Sequence, residues 1–188
     1  WNVAPGGTIT VNLTALTAAG QNLAREALAL WTDSTGINFS EVSIGGQMTF
    51  DDNQSGAFAS SVVSGGIITS SSVNVSTTWL SNYGTTLRTY SFQTYVHEIG
   101  HALGLGHAGN YNGSADYSVD ANYLNDAWAT TIMSYFSEGE NSYFAGQGFS
   151  TQYSVSPMLA DSIAVTNLYG GVTTTRTGDT IYGFNNNS

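Results

Sequence analysis

The chain has 188 residues, with 3 basic and 13 acidic side chains, a formal net charge of −10 and no cysteine. One domain is the default at this length, and about two-thirds of the unfolded surface can be buried without covalent staples. Disulfides, thiolate nucleophiles and Cys-ligated metals are excluded. With Arg25, Arg88 and Arg176 as the whole basic complement, neither a nucleic-acid footprint nor a polybasic membrane anchor can be built, and no apolar run approaches the roughly 20 residues of a bilayer span.

Ser, Thr, Asn and Gly supply 84 of the residues, types that favour turns and strand edges. The 12% of aromatic residues nevertheless argues for a packed domain rather than a disordered one. This acidic, lysine-free composition fits a secreted bacterial protein. The opening Trp1 to Pro5 has neither the basic nor the apolar part of a signal peptide, so the expectation is a leader already removed or an export route that needs none.

Along the chain, Thr8 to Leu13 alternates and reads as a strand. Thr17 is a candidate N-cap for a helix from Ala18 to Trp31, whose apolar positions Leu23, Ala27, Leu30 and Trp31 form a helical stripe. Further strands are expected at Ile37 to Val42, Gln47 to Phe50, Gly56 to Val63 and Ser72 to Ser76, punctuated by Gly45-Gly46 and Gly65-Gly66. Ser91 to Leu103 reads as a helix that stops at Gly104, and Gly109 to Trp128 as a loop. Ser156-Pro157 is a helix start, with the helix running to about Tyr169 before Gly170-Gly171.

All three histidines lie in one stretch, His97-Glu98-Ile99-Gly100-His101-Ala102-Leu103-Gly104-Leu105-Gly106-His107. On a helix His97 and His101 share a face and can reach one metal ion. Glu98 sits on the same turn, displaced enough to hold a water beside the metal without ligating it. Gly104 turns the chain so that His107 can return as a third nitrogen. Three neutral nitrogens and a water make an open, catalytic type of zinc site, and a carboxylate beside that water suits amide hydrolysis. A zinc-held binding or adhesion module without turnover is the alternative; it has no need of the Glu98 carboxylate.

The motif resembles that of the metzincin zinc endopeptidases, His-Glu-x-x-His-x-x-Gly-x-x-His followed by a Met-turn, with Thr131-Ile132-Met133-Ser134-Tyr135 matching the turn. The Tyr two residues after the Met sets the turn apart from that of the matrixins, and the absence of cysteine and of a Glu after His107 from the astacins, so the resemblance is to the serralysins, with Ala108 standing where they commonly have Pro. The segments 24–31, Leu168-Tyr169-Gly170 and 175–184 look like serralysin segments as well. The resemblance implies that Met133 forms an apolar floor beneath the ligands. It also implies that Tyr135 ligates zinc in the free enzyme or hydrogen-bonds the oxyanion during turnover.

The implied fold is α+β and metzincin-like. It has a twisted, mostly parallel five-stranded sheet with an antiparallel edge strand, a long zinc-binding helix, the Met-turn and a C-terminal helix. Residues 1–171 would form the catalytic domain, with subdomains meeting near 104, and 172–188 a tail towards a calcium-binding β-roll that this sequence lacks. By that analogy Arg176, Gly178 and Thr180 would offer backbone oxygens to a Ca²⁺ ion. Ala57, Phe58, Ala59 and Ser60 lie on the edge strand expected to pair with an extended peptide, and 134–145 would line the pocket for the residue after the cleaved bond. The expected protein is a monomeric, extracellular endopeptidase that meets protein or peptide substrates and a proteinaceous inhibitor, and neither nucleic acid nor membrane.

Overall fold

The computed structural model describes residues 1–172. Five strands form one sheet in the order β2-β1-β3-β5-β4: β1 (Thr8–Asn12), β2 (Asn38–Glu41), β3 (Met48–Asp51), β4 (Ala57–Ser64) and β5 (Ile67–Val75). The pairs β1–β2, β1–β3 and β3–β5 are parallel, and β4 runs antiparallel to β5 at the sheet edge. The expected mostly parallel sheet with one antiparallel edge is the one found. Period-2 alternation sends Ile9, Val11, Met48, Phe50, Val73 and Val75 to one buried face.

That face is covered by α1 (Ala18–Thr35) and α3 (Tyr90–Ala102). Thr17 caps α1 through its hydroxyl, which accepts from the Gly20 amide at 3.3 Å. The helix runs four residues past Trp31 because the first residue able to end it is Gly36, at φ +68°. Leu23, Ala27 and Trp31 are buried, and the Trp31 indole donates to the Val96 carbonyl of α3 at 3.0 Å. The metal-motif helix is thus tied to the rigid centre of the domain.

One strand begins earlier than expected, and three short helices join the expected elements. β5 begins at Ile67 rather than Ser72, because Gly65 and Gly66 (φ +58° and +78°) make a two-residue hairpin with Ser64 opposite Ile67. A short helix α2 (Thr77–Tyr83) follows β5, with the Ser76 hydroxyl accepting from the Trp79 amide at 3.1 Å. Within 109–128 there is a single turn, α4 (Tyr117–Asp120), capped by Asp116, and after the Met-turn a second, α5 (Ser142–Gly146), capped by Asn141.

The C-terminal helix α6 (Leu159–Tyr169) starts three residues after Ser156. The amide that opens it, Met158 N–H, is satisfied by the Asp161 carboxylate at 2.7 Å rather than by Ser156. At the other end of α6 the Tyr169 hydroxyl donates to the Leu103 carbonyl, and the Trp1 indole donates to the Ala102 carbonyl at 2.9 Å. Both satisfy carbonyls that the end of α3 leaves open. Among the described residues no helix is long and apolar enough to cross a membrane. Arg176, Gly178 and Thr180, with the rest of 173–188, lie outside the described residues.

Candidate metal centre

His97 and His101 project from α3 one turn apart, with ring centroids 4.6 Å from each other. The helix then closes in a Schellman arrangement. Gly104 N–H donates to His101 O at 2.8 Å and Leu105 N–H to Gly100 O at 3.0 Å. Gly104 sits at φ +99°, a conformation that side chains rarely adopt. This reversal brings His107 back alongside, its ring 4.5 Å from that of His101 and 5.3 Å from that of His97.

Each imidazole is oriented by a backbone carbonyl. His97 Nδ1 meets Ile132 O, His101 Nδ1 meets Leu105 O and His107 Nδ1 meets Tyr111 O, all at 2.8 Å. A carbonyl only accepts, so each Nδ1 carries the proton and each Nε2 presents a lone pair. His101 Nε2 and His107 Nε2 lie 2.9 Å apart, and the three ligating nitrogens all lie within 4.8 Å of one another. Neutral lone pairs brought this close repel unless a cation lies among them. The donor set therefore fits one divalent ion held by three neutral nitrogens. Burial lowers the His97 pKa to about 3, with His101 adding to the shift, and burial lowers those of His101 and His107 as well. All three rings are held in the neutral, ligating form.

Glu98 is buried beside them at 6% exposure. Burial pushes its carboxyl up to about 8, opposed by a hydrogen bond from the Ala59 backbone of β4. A divalent cation nearby would draw that value back down. Tyr135 is half-buried, its ring 4.5 Å from that of His107 and 6.0 Å from that of His97. Its phenol oxygen accepts from the Gly113 amide at 3.2 Å. Met133 is buried beneath α3, and its sulfur lies 2.7 Å from where a β-carbon on Gly100 would stand.

These groups open into a cleft of about 460 Å³ along β4, lined by Ala57, Phe58, Ala59 and Ser61 above and by the three histidines, Glu98 and Tyr135 below. Ser60, expected on this edge, is not in the lining. Because Ala59 N–H points to Glu98, antiparallel alternation turns the backbone groups of Ser60 towards β5.

The model of Reprolysin_5, metallo-peptidase family M12, matches residues 7–145. The chain belongs to metallopeptidase family M12. Metallopeptidase AprA of Pseudomonas marginalis is 37% identical over 184 residues, covering 89% of this chain and 38% of that protein. Serralysin C of Dickeya chrysanthemi is 48% identical over 101 residues, 53% of this chain and 20% of its own length. The serralysin resemblance is borne out, and this M12 chain spans less than two-fifths of the length of those relatives. Among solved structures, myroilysin superposes with a TM-score of 0.53 at 20% identity, covering 90% of this chain and 95% of that one. High choriolytic enzyme 1, a hatching enzyme zinc-protease from Oryzias latipes, superposes at 0.56 with 15% identity, covering 92% and 94%. They share the fold.

Three supporting residues of this M12 centre escape a reading by motif. Tyr111 holds His107 through its carbonyl, lies nearly parallel to it at 5.4 Å, and donates its hydroxyl to both oxygens of buried Asp126 at 3.1 Å. Its signal was spacing, four residues after His107 in an otherwise polar loop. Ile132 supplies the carbonyl for His97, which no side-chain pattern reveals. Asp161 accepts from the Ile132 amide at 2.8 Å and from the Thr131 hydroxyl at 2.6 Å. In the loop 109–128 Asp116 accepts from the Ser118 amide at 2.8 Å, and Asp120 accepts from the Asp116 amide at 2.7 Å.

Gly100 carries a prediction. A β-carbon there would also stand 3.1 Å from Trp31 Cζ2, in a close-packed region where an added methyl typically costs about 1–3 kcal/mol. The relief available is movement of Met133. Gly100→Ala is expected to lower the melting temperature by about 5 °C and to weaken metal retention in a competition titration. An unchanged melt with unchanged metal affinity would show that Met133 is free to move.

Proposed function

We propose that this domain is a zinc endopeptidase that hydrolyses peptide bonds of proteins. The observation that carries the reading is the convergence of three Nε2 lone pairs, each oriented by a carbonyl behind it, beside a buried carboxylate that does not join the set. Three imidazoles suit zinc, and a site with three protein ligands keeps a fourth position open. When bound, zinc lowers the pKa of water and polarises a carbonyl.

The chain's own residues do the rest. Glu98, at the level of Ala59 on β4, takes the proton of the attacking water and hands it to the leaving amine. The phenol of Tyr135, released from Gly113, donates to the oxyanion. Met133 supports the ligands from below. The outer edge of β4 at Ala57 and Ser61, with the Ala59 carbonyl, pairs with the substrate backbone, so the side chains nearest the cut are weakly selected. The acidic, lysine-free composition supports an extracellular setting.

The test is casein hydrolysis by metal-quantified protein. One zinc per chain, activity abolished by a chelator and restored by stoichiometric Zn²⁺, is the expected result. Full activity in the chelated, zinc-free protein would sink the reading.

A further inference from the structure

Three cavities follow one another along β4. The central one holds the metal ligands. Beyond its start, at Gly56, lies a cleft of about 480 Å³ whose walls include Asn53, Gln54, Ser55, Asn82, Trp79 and Tyr83. Beyond its far end lies one of about 490 Å³, which shares Ser61, His101 and Gly106 with the metal cleft and adjoins it. Its walls carry Val63 and Ile68 from the β4–β5 hairpin, facing Leu105, Leu168, Tyr169 and Trp1.

This last cavity has unused apolar surface. Val63 is 59% exposed and Leu168 54%, so the fold gains little from either. A β-carbon on Gly104 would stand 3.4 Å from Ile68 Cδ1 and 3.8 Å from Leu168 Cδ1. The hairpin and α6 thus converge over a glycine, which leaves the space open to a side chain from elsewhere. The wall above the metal ligands carries one large side chain, Phe58, among the small Ala57, Ala59 and Ser61.

We propose that this cavity is a specificity-determining subsite of the peptidase and takes one large apolar side chain of the substrate, upstream of the bond that is cut. The inference rests on the endopeptidase reading. Its polarity follows from pairing: a peptide added antiparallel to β4, the more stable mode per residue, runs from Val63 towards Ala57. Its N-terminal part then crosses the apolar cavity before reaching the metal. Ala59 marks the level of Glu98, and Val63 lies four residues on, about 13 Å along the strand. The selected residue is therefore the fourth or fifth before the scissile bond.

The experiment measures kcat and KM for matched fluorogenic peptides carrying Leu or Ser at those two positions, with casein hydrolysis run in parallel. One apolar side chain in a fitted pocket discriminates by about 10–200-fold. At least a tenfold preference for Leu is expected, lying mainly in KM. In the Val63→Ser/Leu168→Ser double variant, both positions being surface-exposed, the preference should fall below threefold. Ile44→Ser, at a position 90% exposed and outside all three cavities, should keep the full ratio. Casein cut without an upstream preference, a preference found downstream instead, or a ratio indifferent to the double variant overturns the subsite alone. Casein left uncut by the zinc-loaded protein overturns the peptidase reading and the subsite with it.

Discussion

Glu98→Gln is expected to lower casein hydrolysis by about 10²–10⁴-fold, the usual contribution of a positioned general base, while zinc content stays at one per chain. The substitution is nearly isosteric and the site is buried. Gln keeps an oxygen to accept from the Ala59 amide and loses only the capacity to take a proton. None of the three histidines depends on Glu98: their Nδ1 atoms rest on Ile132, Leu105 and Tyr111 carbonyls, so the metal should bind as before.

A second readout separates this role from packing. In the metal-free protein, burial raises the Glu98 carboxyl from 4.5 to about 8. A carboxyl that holds its proton more tightly when folded makes stability fall as pH rises from the unfolded value through the folded one. Relative to metal-free Glu98→Gln, metal-free wild type should therefore lose stability between pH 4.5 and 8; the three histidines, whose lowered pKa values act in the opposite sense, are common to both proteins and cancel in the difference. A variant that binds zinc and cleaves casein at a near-normal rate removes Glu98 from the chemistry. If wild type and variant both bind zinc and neither cleaves, the domain is a zinc-held binding module.

What was legible in the sequence follows from what each interaction depends on. The i, i+4 spacing of His97 and His101, the positive-φ need at Gly104 and the return of His107 are local, and local geometry is written in residue spacing. The strand alternation and the Thr17 cap are local too. The Gly65-Gly66 hairpin was present as a dipeptide, but Ser-rich Ser70 to Ser72 hid the early start of β5. The partners that hold the imidazoles are backbone carbonyls brought close by the fold, two of them 4 residues distant and one 35. A carbonyl has no residue-type signature, so this layer could not be read. The start of α6 was misplaced for a related reason: Ser156-Pro157 has the local chemistry of a cap, yet Asp161 competes for the opening amide and also binds the distant Met-turn.

That competition makes Asp161 the most consequential of the residues that support the ligands from behind. One carboxylate, 2% exposed, joins three segments. Oδ1 accepts from the Thr131 hydroxyl at 2.6 Å, and Oδ2 accepts from the Ile132 amide at 2.8 Å and the Met158 amide at 2.7 Å. Ile132 then passes the restraint on, since its carbonyl receives the His97 Nδ1 proton. Burial raises the Asp161 pKa while these three bonds oppose the rise. Asp161→Ala strips the acceptor from two backbone amides and a hydroxyl in the interior. A buried donor left unsatisfied costs about 1–3 kcal/mol, and part of that loss is recovered by relaxation, so about 3 kcal/mol is expected overall. At this chain length that lowers the melting temperature by about 10 °C. Zinc affinity should fall by about 10–100-fold, as for other groups that orient a ligand from behind. Thr131→Ala removes the bond to Asp161 and the acceptor of the Met133 amide but leaves the Ile132 and Met158 amides served, so it should show a smaller thermal effect than Asp161→Ala, with little change in affinity. A stability loss with zinc affinity intact would confine Asp161 to packing; loss of both, graded Ala above Asn above wild type, ties α6 to the metal through Ile132.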